Sequence, residues 1–201
     1  ACLARLVPHL DTDDIALTGG VAVELHLAAA RKPRRREGIA DLDFVARRMD
    51  AVAPSVAREF LVSHYHTPGP GVPKAIVQLV DPPTRLRIDI FPDLAGTITR
   101  ATRMTLDGTA LLVLDAKSIF QHKLQTILIA SAERPVDAKH WRDAVALSEL
   151  CGLEPPPPPA HMASEAYCTD VNLVCTRCEQ SRVPEFPLAP KPEIFRLLGY
   201  V

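Results

Sequence analysis

The chain has little net charge and no long apolar run, and each absence narrows the class of protein it can be. Its formal net charge is −1 at pH 7, so any attraction to nucleic acid or to a membrane surface must come from a local patch. No apolar segment approaches the roughly 18 residues that span a bilayer, so we expect no membrane partner. The first ten residues lack the long apolar stretch of a secretory signal. We therefore expect a cytoplasmic protein.

Cysteine use fits the same expectation. The chain has five cysteines among 201 residues, and without a secretory signal disulfides are their less common use. The composition, 47% hydrophobic and 23% charged, is that of an ordinary globular protein. The length suffices for one full catalytic domain with a small appendage.

Hydrophobic patterns predict an α+β protein, with a mixed β-sheet and flanking helices followed by a helical pair and a small Cys-containing tail. We place the core at residues 1–114, the helical subdomain at 115–154, and a Pro-rich spacer with the tail at 155–201. The spacer begins with five consecutive prolines at 155–159, which exclude a helix and favour a stiff extended segment.

The sequence predicts five strands and five helices. Alternating or apolar runs predict strands over 14–18, 39–46, 74–80, 85–91 and 97–106. Helical spacing predicts helices over 1–10, 21–30, 51–62, 115–130 and 136–150, the third of them interrupted near Pro54. The turn residues at 81–84 predict that the third and fourth strands form a hairpin.

Three groups of residues in these predicted elements indicate a site for phosphates and metal ions. Gly19-Gly20 lies between a predicted strand and helix, where the backbone can approach phosphates at the positive end of the helix dipole. Asp41 and Asp43 are two residues apart on a strand, so both carboxylates point to one face. Such a pair is costly unless a hard cation neutralises it, and oxygen ligands suit Mg²⁺. Asp89 on another strand would complete a cradle for two metal ions.

Several stretches resemble the nucleotidyltransferase superfamily, and within it the AbiEii/AbiGii toxin-type branch. The resemblance covers roughly residues 14 to 150. The matching stretches are LTGGVAVELH at 17–26, ADLDFVA at 40–46, LRIDIF at 86–91, KSIFQHKLQTIL at 117–128 and KHWRDAVAL at 139–147.

The resemblance implies a nucleotidyltransferase-type core and a role for each matched residue. It implies that Gly19 and Gly20 contact the nucleotide phosphates, together with Lys123 from a later helix. It also implies that Asp41 and Asp43 bind Mg²⁺, with two ions expected, and that Asp89 binds the catalytic metal or acts as the base for the acceptor hydroxyl. Asp143 would be a supporting helical residue.

The implied activity is transfer of a nucleoside monophosphate from an NTP to a hydroxyl on RNA or protein, as in the toxin of a toxin–antitoxin system with an antitoxin protein as partner. The alternatives are a small-molecule nucleotidyltransferase of the aminoglycoside-modifying kind, which would share the same carboxylates, and a non-catalytic binding module of the same fold. A simpler alternative makes the aspartates part of a solvated sheet face.

A basic loop follows the first helix, with five cations at Arg31, Lys32, Arg34, Arg35 and Arg36. It could contact the phosphates of a nucleic acid or of the substrate triphosphate, or it could be an ordinary solvated loop. Because few aromatic residues lie nearby to stack on bases, readout of a base sequence is not supported.

The tail contains a potential zinc site, formed by His161, Cys168, Cys175 and Cys178. The Cys-x-x-Cys pair at 175 and 178 can grip one ion, and three thiolates with one imidazole suit a structural Zn²⁺. Free or packing thiols remain the alternative. Cys151, at the end of a predicted helix, is expected to be an apolar packing residue.

Overall fold

The computed structural model describes residues 2–33, 35, 38, 41–66, 76–133 and 136–163. Within these residues a seven-stranded sheet forms the centre of the fold. Its strands are β1 (Ile15–Thr18), β2 (Asp41–Ala46), β3 (Leu61–His66), β4 (Ile76–Val80), β5 (Arg87–Pro92), β6 (Thr102–Leu106) and β7 (Thr109–Val113). The spatial order is β3-β4-β5-β2-β1-β7-β6.

The sheet is mixed in direction. Strand β2 runs parallel to β5 and β1 runs parallel to β7, whereas the other neighbouring pairs are antiparallel. The antiparallel pair of β4 and β5 is the hairpin expected around residues 81–84. Both parallel pairs join strands far apart in sequence, and one of them places β2 beside β5 in the middle of the sheet.

Four α-helices accompany the sheet in the described part of the chain. They are α1 (Cys2–Leu6), α2 (Gly19–Ala29), α3 (Ala116–Glu133) and α4 (Ala138–Cys151). A short parallel pair, β8 (Val136–Asp137) with β9 (Met162–Ala163), joins the start of α4 to the segment after the prolines. The α+β architecture expected from the sequence is therefore confirmed. None of the helices described is long and apolar enough to cross a membrane.

The helices and the sheet share one apolar core. Leu17, Phe44 and Ile88 of the sheet are fully buried or nearly so, and Ile119 of α3 and Leu147 of α4 belong to the same cluster. Helix α2 packs on β1 and β2 and also contacts α3 and α4. The helical pair is thus held against the same side chains that hold the central strands, which fixes residues of α3 and α4 relative to β2.

The predicted helix over 51–62 is wrong. Pro54 begins a short 3₁₀ helix, Pro54–Arg58, and the chain then enters β3 at Leu61. The apolar residues Val52, Val56 and Phe60 are four apart, which suggested a helix, and all three are buried. Their burial is achieved by a bridge from Val52 to Leu10, a 3₁₀ turn and a strand entry instead. Spacing alone could not distinguish these arrangements.

Other element boundaries also differ from the sequence prediction. The helix expected over 1–10 ends at Leu6 and is followed by a 3₁₀ turn, Val7–His9. The strand expected over 97–106 begins only at Thr102, after a 3₁₀ turn. Strand β7 was not predicted, although Asp107-Gly108 is a typical hairpin turn, and both residues have positive φ here.

Candidate active site

Four charged residues lie on one face of the two central parallel strands. In the pairing of β2 with β5, Asp41 is opposite Arg87 and Asp43 is opposite Asp89. Residues two apart on a strand share a face, and directly paired residues in a sheet share it too. The three aspartates expected to act together are therefore on the same side of the sheet, with Arg87 among them.

Gly19 allows the Asp43 carboxylate to lie against the start of α2. Strand β1 pairs with β2 so that Thr18 is opposite Asp43, and Gly19 follows with φ +67°. A methyl group on Gly19 would lie 2.6 Å from Asp43 Cβ and closer still to its Oδ2. Only glycine suits both the left-handed backbone and this approach. Gly20 is buried in the first helical turn.

Arg87 bridges two of the three carboxylates. Its Nη2 donates a hydrogen bond to Asp41 Oδ2 at 3.0 Å, and its Nε lies 3.1 Å from Asp89 Oδ2. The other oxygen of Asp89 accepts a hydrogen bond from Gln78 Nε2 at 2.9 Å. Both oxygens of Asp89 are therefore engaged by groups of the protein, whereas Asp41 keeps Oδ1 uncommitted to Arg87.

Asp43 is the carboxylate with the least compensation. Within the described residues no group donates a hydrogen bond to it. Burial, with a further contribution from Asp41, raises the pKa of Asp43 to about 6, although Lys123 and Arg87 act in the opposite direction. Burial also raises the pKa of Asp89, against the lowering effects of Arg87 and Gln78. The cluster therefore holds more negative charge than its surroundings stabilise, and a further cation would be favourable there.

Lys123 reaches the cluster from the helical pair. Its side chain is buried, and Nζ lies 2.9 Å from Asp143 Oδ2 on α4. The ammonium lowers the pKa of Asp43, against the effect of burial. A buried lysine needs such a partner to stay charged. Asp143 therefore holds the Lys123 ammonium near β2.

His140 lies beside the same ammonium. Its Nδ1 is 3.5 Å from Lys123 Nζ. Burial and the nearby cations Lys123 and Lys139 lower the pKa of His140 to about 4, so the imidazole is neutral at pH 7. Lys139 adds a more distant cation, with Nζ 3.9 Å from Asp41 Oδ2.

Arg35 of the basic loop is bound to α4 at the protein surface. Its Nη2 binds Asp143 Oδ1 at 2.8 Å, its Nη1 donates to the Arg142 carbonyl, and its backbone N–H donates to Glu24. Arg31 and Lys32 are exposed, whereas Arg34 and Arg36 lie outside the described residues. Arg35 is therefore a structural link between α2 and α4, which the sequence did not indicate.

The structure brings together most of the residues singled out from the sequence. Gly19, Asp41, Asp43 and Asp89 meet at β1, β2 and β5, and Lys123 approaches from α3. Sequence reasoning missed the others, namely Gln78, Arg87, Lys139 and His140. A signal for Arg87 was present, because it shares the strand face of Asp89; Gln78 required knowledge of which strand lies beside β5.

Asp41 and Asp43 are the residues best suited to hold a divalent cation. Among the described residues, no three His, Cys, Asp or Glu side chains are already placed as ligands of one ion, and Arg87 contacts both Asp41 and Asp89. The donor set nevertheless fits Mg²⁺, which prefers carboxylate oxygens. Asp43 also lacks a hydrogen-bond donor of its own, so a cation would meet an uncompensated charge.

Of the four residues of the predicted zinc site, His161 lies within the described part of the chain. His161 is exposed, and its carbonyl accepts a hydrogen bond from the Val136 N–H at 2.9 Å. Cys168, Cys175 and Cys178 lie outside the described residues, so the zinc site stays a prediction. Cys151, at the end of α4, is half-buried and not in a disulfide.

Three solved structures are loosely similar to this chain. A candidate nucleotidyltransferase from Thermotoga maritima has a TM-score of 0.47 and 13% identity, over 65% of this chain and 86% of that one. A candidate nucleotidyltransferase from Helicobacter pylori has a TM-score of 0.39 and 14% identity, over 73% of this chain and 66% of that one.

A third similar structure is an antigenic nucleotidyltransferase-like protein from Paracoccidioides brasiliensis. Its TM-score is 0.38 and its identity 16%, over 91% of this chain and 88% of that one. No protein-family model and no curated protein matches the chain. Likenesses this loose identify neither a substrate nor a reaction, so the case for a function rests on the side chains of this chain.

Proposed function

We propose that this chain is a Mg²⁺-dependent nucleotidyltransferase that transfers a nucleoside monophosphate from an NTP to an acceptor hydroxyl. One observation carries the proposal. Asp41, Asp43 and Asp89 share one face of two adjacent strands, and Asp43 lies against Gly19 at the start of α2. A carboxylate cluster beside a helix N-terminus places sites for a cation and for phosphates next to each other.

The N-terminus of α2 is the expected site for the triphosphate. Thr18 makes no side-chain capping hydrogen bond there, and the first turn contains no acidic residue. The N–H groups of this turn can therefore donate to phosphate oxygens. Gly19 and Gly20 keep side chains away from the approach, and the Lys123 ammonium would meet the phosphates from the side of α3.

Asp41 and Asp43 would hold the divalent cation. When bound, Mg²⁺ would neutralise charge on the phosphates and favour departure of pyrophosphate. The acceptor oxygen would attack the α-phosphorus as the bond to the β-phosphate oxygen breaks, and the acceptor would lose its proton. Asp89, whose oxygens contact Gln78 and Arg87, would use a second lone pair of one oxygen to orient the acceptor hydroxyl or accept this proton.

The acceptor class is proposed to be RNA or protein, following the toxin-type resemblance, with an antitoxin protein as partner. One observation favours the small-molecule alternative. Arg35, counted in the sequence among cations available to RNA, is instead bound to Asp143, so the loop offers fewer cations to a polynucleotide. The two acceptor classes are distinguished by where a transferred label appears.

The proposal is tested by incubating the full chain with each α-³²P-labelled NTP, Mg²⁺ and cell extract. Label should enter RNA, protein or a small molecule, and the Asp43→Asn variant should transfer none. Arg47→Gln, in an exposed ion pair with Asp14 outside the site, serves as the matched control. Absence of transfer from all four NTPs, with no Mg²⁺-dependent nucleotide binding, would leave the chain a non-catalytic module.

The toxin role has a separate test. Induced expression of the wild-type chain in a bacterial host should arrest growth, whereas Asp43→Asn at the same expression level should not. Growth unaffected by an active enzyme would separate the transferase activity from the toxin role.

A further inference from the structure

Arg87 occupies a position inside the carboxylate cluster. Only 12% of its side chain is exposed, and the two carboxylates it binds, Asp41 and Asp89, are 13% and 8% exposed. The guanidinium is protonated at any physiological pH. It is therefore a permanent charge, largely removed from water, in contact with the same oxygens that a metal ion would use.

The number of free carboxylate oxygens limits what else can bind. Asp89 Oδ1 accepts from Gln78 and Asp89 Oδ2 lies against Arg87. Asp41 Oδ2 accepts from Arg87. Among the described residues, the cluster oxygens left without a hydrogen bond or an ion pair are Asp41 Oδ1 and the two of Asp43, which lie two residues apart on β2.

The balance of charges in the cluster also fits a single divalent cation. Three carboxylates carry three negative charges, and Arg87 supplies one positive charge. A single divalent cation supplies the other two. The nearby cations Lys123 and Arg35 share Asp143, and Arg35 also lies 3.7 Å from Glu24. Lys139 lies 3.9 Å from Asp41 and equally far from Asp137. Each of these cations is thus offset by a carboxylate outside the cluster, and the balance is unchanged. A second divalent cation near Asp41 and Asp89 would have to displace Arg87 or bind beside a fixed positive charge, which is unfavourable at such short range.

We propose that Arg87 takes the place of a second metal ion, so that the chain binds one divalent cation, at Asp41 and Asp43, rather than two. The inference rests on the proposed function, since it assumes that this cluster binds a metal. Arg87 is then a positioning residue, which neutralises Asp89 and leaves Asp41 and Asp43 to bind a single ion. Its removal should create the second site.

The test counts bound Mn²⁺ by equilibrium dialysis of the full chain, with free Mn²⁺ followed by electron paramagnetic resonance. The wild-type chain should bind one ion, and Asp43→Asn none. Arg87→Gln frees Asp41 Oδ2 and Asp89 Oδ2, so bound Mn²⁺ should double to two ions. Arg87→Lys keeps a cation in the cluster and should still bind one. Arg47→Gln, on the exposed surface, should behave as the wild type does.

The outcomes separate the two proposals. Two ions of similar affinity on the wild-type chain would overturn the role of Arg87 and leave the nucleotidyltransferase proposal standing. One ion on both the wild type and folded Arg87→Gln would also overturn that role. No Mn²⁺ on the wild type, with no transfer from labelled NTP, would overturn the proposed function itself. If Arg87→Gln does not fold, a second ion bound to the wild-type chain would still overturn the role of Arg87.

Discussion

The contact between Gly19 and Asp43 makes Gly19→Ala a sensitive probe of the candidate site. Two costs add in this variant. Gly19 has φ +67°, and an L-residue in the left-handed region costs about 1–2 kcal/mol. The added methyl would also lie 2.6 Å from Asp43 Cβ, and relieving such an overlap in a packed region costs roughly 1–3 kcal/mol more. Gly19→Ala should therefore destabilise the fold by about 3 kcal/mol.

Gly152→Ala is the matched control for this prediction. Gly152 also has positive φ, +63°, but a methyl there would meet nothing within 4 Å. This variant should lose only the conformational part, about 1–2 kcal/mol. The difference between the two variants isolates the overlap with Asp43.

Urea unfolding followed by circular dichroism measures both free energies of unfolding, and Mn²⁺ binding reports on the site. Gly19→Ala should also bind Mn²⁺ more weakly, because relief of the overlap moves Asp43, whereas Gly152→Ala should bind it normally. Equal losses of stability in the two variants, with unchanged Mn²⁺ affinity in Gly19→Ala, would refute the close approach of Asp43 to the start of α2.

Three further predictions concern the charged groups. Without metal, the pKa of Asp43 is about 6 in the folded chain and about 4 in the unfolded chain. Ionisation of Asp43 therefore destabilises the fold as pH rises between these values, and the stability of Asp43→Asn relative to the wild type should increase by up to about 1.4 kcal/mol per pH unit. Urea titrations from pH 4 to 6 measure this difference in stability, and a difference that stays constant would contradict the buried charge. His140, whose low pKa has the opposite pH effect, is common to both chains and cancels. Asp143→Ala leaves the buried Lys123 ammonium without its carboxylate and should cost about 3–5 kcal/mol, measured by thermal or urea unfolding; a loss below 1 kcal/mol would show that the pair contributes little. Lys123→Ala leaves Asp143 paired with Arg35, so the chain should stay folded while the apparent KM for NTP rises and turnover falls. Wild-type kinetics would reject the contact of Lys123 with the triphosphate.

The sequence by itself determined the local geometry of the site. The alternation of Leu42 and Phe44 with the two aspartates fixed one face of β2, because successive side chains of a strand point to opposite sides whatever the strand packs against. The same rule placed Arg87 and Asp89 together on β5. The Gly19-Gly20 turn between strand and helix was also readable, since it depends on backbone freedom at single residues.

Only the tertiary structure decided which strands are neighbours. The parallel pairing that puts Asp43 opposite Asp89 joins segments some 46 residues apart, and such pairing is set by burial of the whole sheet rather than by local pattern. The same non-local packing brought Gln78 to Asp89 and turned Arg35 onto Asp143. It also replaced the helix expected over 51–62 by a 3₁₀ turn that leads into β3 at Leu61, because burial of Phe60 and its neighbours was satisfied at the sheet edge.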